Sequence, residues 1–160
     1  MKNSQFSWRL YRNPFRDWQV LLVLMSALLI GAVMWWLMPQ EVAARTIFSP
    51  WLLLNMLLLF PLVEELLFRG VIQPQLLQRP LLALRYWGIS RANLITSLLF
   101  VGLHFVNHSP LWAVAVILPS LTMGYMRERY QNLILPIFLH MYFNAIYLLA
   151  VKFAGGVPDL

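Results

Sequence analysis

The sequence predicts an all-α, polytopic membrane helix bundle with about five transmembrane helices. Three observations carry that expectation. Hydrophobic residues make up 61% of the chain and charged residues only 11%, against about 25% charged in soluble domains. Residues 18–38, 46–63 and 130–151 carry no Asp, Glu, Lys or Arg, and residues 92–126 hold only histidines as ionisable groups of note. A span needs about 20 apolar residues, and these runs are long enough.

Taken in order, the expected spans are residues 18–38, 48–72, 92–107, 110–126 and 132–152. The first run is too long for a signal-peptide core of about 7–15 residues, so Val42-Ala43-Ala44 is read as part of a loop after a retained helix. Asn107-His108-Ser109-Pro110 supplies the turn that divides the long 92–126 run. Residues 73–91 read as an interfacial stretch, where Pro74 and Pro80 argue against one unbroken helix. Residues 1–17 form a basic, aromatic tail (Arg9, Arg12 and Arg16 among Phe6, Trp8, Tyr11 and Phe15) suited to an anionic membrane surface. Residues 18–160 read as a single transmembrane domain without repeats. Trp35, Trp36, Trp51 and Trp112 fit interfacial belts.

The net charge of +6 reports orientation. Lys2, Arg9, Arg12 and Arg16 precede the first span; Arg79, Arg85 and Arg91 follow the second; Arg127 and Arg129 follow the fourth. The other side carries only Arg45 and Lys152. By the positive-inside rule the N-terminus is cytoplasmic and the C-terminus outside, as expected for an integral protein of a bacterial cytoplasmic (inner) membrane. A nucleic-acid partner is not expected, because the basic residues follow loops rather than one face of a soluble fold. The chain has no cysteine, which excludes disulfides and thiol chemistry.

Against this apolar background, Glu64 and Glu65 are costly. A charge at the bilayer centre costs roughly 2.5–3.5 kcal/mol on insertion scales. Positions i and i+4 share a helix face, so Glu65 and Arg69 pair as a neutral couple. Glu64 then lies on another face, with Phe68, available for proton transfer. The same three residues also suit a salt-bridge network pinning helices together. His104 is either a functional group or an ordinary interhelix contact, and His108, four residues on, falls in the turn. His140 and Asn144 are an i, i+4 pair of donors that suits an oxyanion or interhelix hydrogen bonds. Asn55 and Asn93 read as helix glue and a helix-end residue.

Together these residues resemble a known family. Glu64-Glu65-xxx-Arg69, Phe100-xxx-His104 and His140-xxx-Asn144 match, in order, the three motifs of the CPBP (Abi) family of CAAX-processing and bacteriocin-processing membrane proteases. The resemblance covers about residues 58–150. It implies a glutamic-type intramembrane endopeptidase acting on a membrane-associated polypeptide. Glu64 and His104 would activate a water, His140 and Asn144 would stabilise the oxyanion, and Glu65 and Arg69 would support the site. Prenylated CAAX tails, C-terminal sorting tails and peptide precursors all stay open as substrates.

No cofactor is expected. Zinc on Glu64, His104 and His140 is the alternative, disfavoured because no His-Glu-xxx-His pair shares a helix and Asn144 is a poor zinc ligand. A non-catalytic binding or immunity factor that keeps the pocket is the competing function. A proton-coupled transporter would show internal repeats. Counting the helix rise from the expected cytoplasmic ends places the four groups between the inner leaflet and mid-bilayer.

Overall fold

The computed structural model describes residues 13–37, 49–106 and 109–154. His108 and most of the basic tail therefore lie outside the described residues. Among the described residues, a short 3-10 turn (Pro14–Arg16) is followed in order by six helices and one small hairpin: α1 (Trp18–Leu37), α2 (Pro50–Leu77), β1 (Arg85–Tyr86), β2 (Ile89–Ser90), α3 (Arg91–His104), α4 (Pro110–Ala115), α5 (Ile117–Tyr130) and α6 (Ile134–Ala154). The protein is a helical membrane bundle, as the apolar runs require. Helices α1, α2 and α6 are each long and apolar enough to cross a membrane. Helix α3 has 14 residues, about 21 Å at 1.5 Å per residue, shorter than a hydrocarbon core of about 30 Å. The expected fourth span is two stacked pieces, α4 and α5, joined at Val116.

Helix α1 starts where Asp17 caps it: its Oδ1 accepts from the Gln19 N–H at 3.0 Å, satisfying a donor that the first turn leaves open. The other carboxylate oxygen, Oδ2, ties α1 to the end of α5. It accepts from Arg129 Nη2 at 2.7 Å and from the Tyr130 hydroxyl at 2.7 Å. Burial alone would raise the Asp17 carboxyl; the bonds from Arg129, Tyr130 and the Gln19 N–H outweigh it and hold the group below its ordinary value. Burial and the bond to Asp17 push the Tyr130 phenol up to about 12.

Further along, α1 packs on α6, and Gly31 permits the approach. A Cβ there would lie 2.2 Å from Ile146 Cγ2. The Tyr142 hydroxyl donates to the Leu24 carbonyl across the same contact. Val20, Met123, Met126, Leu135 and Leu139 form the buried core where α1, α5 and α6 meet.

Helix α2 departs from the expectation at both ends and within. It begins at Pro50, where Ser49 caps it by accepting from the Leu52 N–H, and it continues through Pro74 to Leu77 rather than stopping near residue 72. Two stretches, Asn55–Leu59 and Leu66–Ile72, are wound as π-helix. Each lies upstream of a proline. The N–H of Phe60 bonds to the Asn55 carbonyl and that of Gln73 to the Phe68 carbonyl, both five residues back. In that register, Pro61 and Pro74 leave the carbonyls of Met56 and Arg69 without their helical donors. Both are taken from outside the helix: Asn144 Nδ2 donates to Met56 at 2.8 Å, and Arg127 Nε donates to Arg69 at 3.1 Å. This is why prolines that read as helix breakers sit inside a continuous helix.

The interfacial stretch expected at 73–91 is thus two things. Residues 73–77 complete α2, and the rest make a turn and the β1–β2 hairpin.

Candidate active site

The site grows from one face of α2. Glu65, Arg69 and Gln73 recur every four residues, and all three are fully buried. The wide π turn keeps this spacing close to one turn of helix. Opposite them on α5 stand Ser120, Gly124 and Glu128, also four apart. Arg69 Nη2 donates to the Ser120 hydroxyl at 2.7 Å and to its carbonyl at 2.9 Å. Gln73 Nε2 donates to the Gly124 carbonyl at 3.0 Å and to Glu128 Oε1 at 2.7 Å. The Ser90 hydroxyl, at the start of α3, donates to the same Glu128 oxygen, and Arg85 pairs with the other.

Helix α3 closes this ladder from the side. Asn93 Nδ2 donates to the Leu121 carbonyl, and its amide lies so close to α5 that a Cβ on Gly124 would fall 1.9 Å from Asn93 Oδ1. Only a residue without a side chain lets α3 and α5 approach this far. Each of these buried side chains makes at least one bond across helices, which offsets part of the cost of burying it.

At the inner end of the ladder the expected pair is present. Arg69 Nη1 donates to Glu65 Oε1 at 2.9 Å, with both side chains fully buried. The same oxygen faces His140 Nδ1 at 2.9 Å. A carboxylate paired with a guanidinium is ionised and only accepts, so Nδ1 carries a ring proton of His140 and donates a hydrogen bond to it. The other nitrogen, Nε2, then points at Glu64 Oε2, 3.6 Å away. A separation beyond 3.5 Å is bridged by water more readily than by a direct hydrogen bond. The two glutamates do diverge around α2, as the helix requires, yet one imidazole spans both. Glu64 is partly exposed, with 22% of its side-chain surface accessible, whereas Glu65 has none.

His104 ends α3. Its Nδ1 lies 2.9 Å from the Phe100 carbonyl; a carbonyl only accepts, so Nδ1 bears the proton and Nε2 is the basic nitrogen of the neutral ring. The Phe100 ring connects the two histidines, with centroids 4.5 Å from His104 and 5.8 Å from His140. The Arg69 guanidinium carbon stands 4.8 Å from the centre of the Phe100 ring, a cation–π contact in a desolvated place. Phe68 meets the same ring edge-on at 5.1 Å. Asn144, one turn beyond His140 on α6, also faces α2, where one amide N–H is held by Met56; the NH₂ group has a second.

The structure therefore bonds Glu65 directly to Arg69 and His140, sets Glu64 3.6 Å from the same imidazole, and places His104 beside them across Phe100. Asn144 sits one turn further along α6, bonded to the Met56 carbonyl of α2. Among the described residues, no three His, Asp or Glu side chains lie at metal-ligand spacing. Sequence reasoning missed Ser120, Gln73, Glu128 and Ser90. The signal was the continuation of the Glu65–Arg69 stripe to Gln73 and the matching Ser120-xxx-Gly124-xxx-Glu128 stripe.

Comparison with known proteins gives three findings. Residues 46–146, well over half of the chain, match the family model described as type II CAAX prenyl endopeptidase Rce1-like. An uncharacterized 24.3 kDa protein of Escherichia coli is 37% identical over 89 residues, which are 56% of this chain and 39% of that protein. The aligned part thus spans about two fifths of the length of the curated relative it matches. No solved structure matches.

Proposed function

Because the chain belongs to the Rce1-like family of type II CAAX prenyl endopeptidases, we propose that it is an intramembrane endopeptidase that cleaves a membrane-associated polypeptide with a water activated by side chains. The observation that carries this reading is the imidazole of His140 held between two carboxylates, Glu65 at 2.9 Å and Glu64 at 3.6 Å.

The two carboxylates do different work in this reading. Glu65 is fully buried and neutralised by Arg69, so it fixes the His140 ring and its tautomer. Glu64 is the accessible one. With His104 Nε2 it holds a water, takes a proton from it, and the water oxygen attacks the peptide carbonyl carbon. The C=O becomes a tetrahedral oxyanion, which accepts from the second N–H of Asn144. The proton on Glu64 passes to His140 Nε2, which then helps hold the oxyanion. It is delivered to the departing amine as the C–N bond breaks. A positioned general base contributes about 10²–10⁴-fold, and one oxyanion donor about 10²–10³-fold.

The substrate must present an unwound segment, because a carbonyl within a formed helix is already hydrogen-bonded. Water activation uses these side chains without a metal, and the orientation is the one the basic residues suggest, N-terminus in the cytoplasm.

The test is Glu64→Gln in proteoliposomes with a membrane-anchored peptide library. Cleavage should fall at least about 10²-fold while the protein accumulates normally and retains bound peptide for identification. Near-normal cleavage by the variant would refute the mechanism. Thorough chelation should leave the unmodified protein active; recovery only on adding zinc would move Glu64, His104 and His140 into a ligand role.

A further inference from the structure

We propose that residues 78–91, from the end of α2 to the first residue of α3, are an anchor that seats in an anionic lipid headgroup layer and holds the polar ladder at a fixed depth. This inference rests on the protein being membrane-embedded and is independent of the proposed proteolysis.

The segment is built rigidly but faces outward. Its turn is closed by bonds from the Arg91 N–H to the Leu84 carbonyl and from the Ala92 N–H to the Leu82 carbonyl. Strands β1 and β2 pair Arg85 with Ser90 and Tyr86 with Ile89. Arg85 bonds to the Gly88 carbonyl and to Glu128, and Ser90 bonds to Glu128. So the hairpin is fastened to the end of the ladder. Its large apolar side chains take no part in that fastening: Leu81, Tyr86 and Trp87 are 70%, 81% and 96% exposed.

The tip makes the point sharper. Trp87 and Gly88 both have positive φ, 54° and 85°. A two-residue hairpin turn with positive φ at both positions usually carries Asn-Gly or Asp-Gly; a bulky aromatic there is strained. A strained, almost wholly exposed tryptophan has no packing inside the protein to offset it. The membrane interface is the environment in which tryptophan and tyrosine are most favoured.

Charge selects the kind of surface. Arg79, Arg85 and Arg91 lie in the segment, and no acidic residue occurs between Glu65 and Glu128. Arg79 and Arg91 are exposed. Juxtamembrane arginines of this kind are drawn to anionic lipid. The segment leads directly out of α2, which is long and apolar enough to span, so its residues start within reach of the interfacial layer.

The chain has no cysteine, which allows a clean probe. Trp87→Cys, labelled with an environment-sensitive fluorophore, is reconstituted in phosphatidylcholine vesicles with or without phosphatidylglycerol. The label should be quenched by headgroup nitroxide lipids and shielded from aqueous iodide, more strongly with phosphatidylglycerol. Adding Arg79→Gln and Arg91→Gln should weaken that seating by roughly fivefold for each arginine removed. Free iodide access in both vesicle types, or shielding indifferent to lipid charge, would overturn the proposal. Shielding that depends on protein concentration in neutral micelles would point to a second copy of the chain and also overturn it. Tyr86→Cys repeats the measurement if the Trp87 variant fails to insert.

Discussion

Helices α1 and α2 are both long, apolar and able to span a membrane, yet they are held in place by different means. Helix α1 is regular, and among the described residues its polar contacts with other helices are confined to its beginning and to one tyrosine on a backbone carbonyl. Most of what positions it is shape: Val20 in the core and Gly31 against Ile146. Helix α2 buries a continuous polar stripe, contains two prolines beyond its first turn and two π stretches, and is fixed by hydrogen bonds to α5 and α6. The lesson is that apolar composition makes a span, while a row of buried polar groups makes a site. π-Helical turns gather at functional places for the same reason, since they aim side chains that a regular helix would misdirect.

The largest expected effect breaks that difference outright. Arg69→Ala leaves Glu65 buried with the His140 N–H but without its cationic partner, and breaking a buried ion pair costs about 3–5 kcal/mol. Its first sign should be loss of folded protein in detergent thermal-unfolding measurements. Normal stability would mean that α2 is held by packing, as α1 is.

A smaller change tests the ladder one rung at a time. Ser120→Ala removes the hydroxyl but keeps the backbone carbonyl that Arg69 also uses. A hydrogen bond to a charged group contributes about 1.5–3 kcal/mol, so stability should fall by no more than that. If His140 is positioned through Arg69 and Glu65, the pH profile of cleavage should shift as well; an unchanged profile with reduced stability would confine Ser120 to structure.

The two glycines compare the regions directly. Gly124→Ala drives a Cβ into the Asn93 amide, which is fixed to the Leu121 carbonyl, and overpacking of this kind costs about 1–3 kcal/mol. Gly31→Ala meets a methyl of Ile146, which can turn away, so it should cost less. Equal losses in matched unfolding curves would contradict the view that the polar side of the bundle is the less forgiving one.

The mildest effect concerns pH. Because the folded-state Asp17 carboxyl lies below its ordinary value, near 3.9 in an unfolded chain, its contribution is present above that value. It is lost as pH falls through the lower folded value. Acid unfolding should therefore release α1 from α5 at strongly acid pH, and Asp17→Asn should flatten that part of the stability curve. A flat curve in the unmodified protein would show that α1 owes nothing to its polar cap.

Much of this was legible in the sequence, for physical reasons that differ by residue. The runs that became α1, α2 and α6 are visible because desolvating a backbone demands long apolar helices. The Glu65–Arg69 pair is visible because i, i+4 geometry is local. What Glu65 also does, accepting from His140 seventy-five residues away, is set by how helices dock, which no local rule encodes. The continuation of α2 through Pro74 was hidden for a related reason: whether a proline ends a helix depends on whether another helix satisfies the carbonyl it strands. Nothing local marks Glu128, between Arg127 and Arg129, and only the fold makes it the meeting point of Gln73, Ser90 and Arg85.

The capture of the Arg69 carbonyl by Arg127 has a consequence for how such sequences diverge. Pro74 withholds a donor and Arg127 supplies one, so neither residue is neutral alone. A lineage that lost Arg127 first would strand a buried carbonyl, whereas one that replaced Pro74 first would regain the main-chain bond and release Arg127 to vary. Substitution histories at these two positions should consequently be ordered, with change at 74 preceding change at 127. The fifty-two positions between them would show no such constraint on their account.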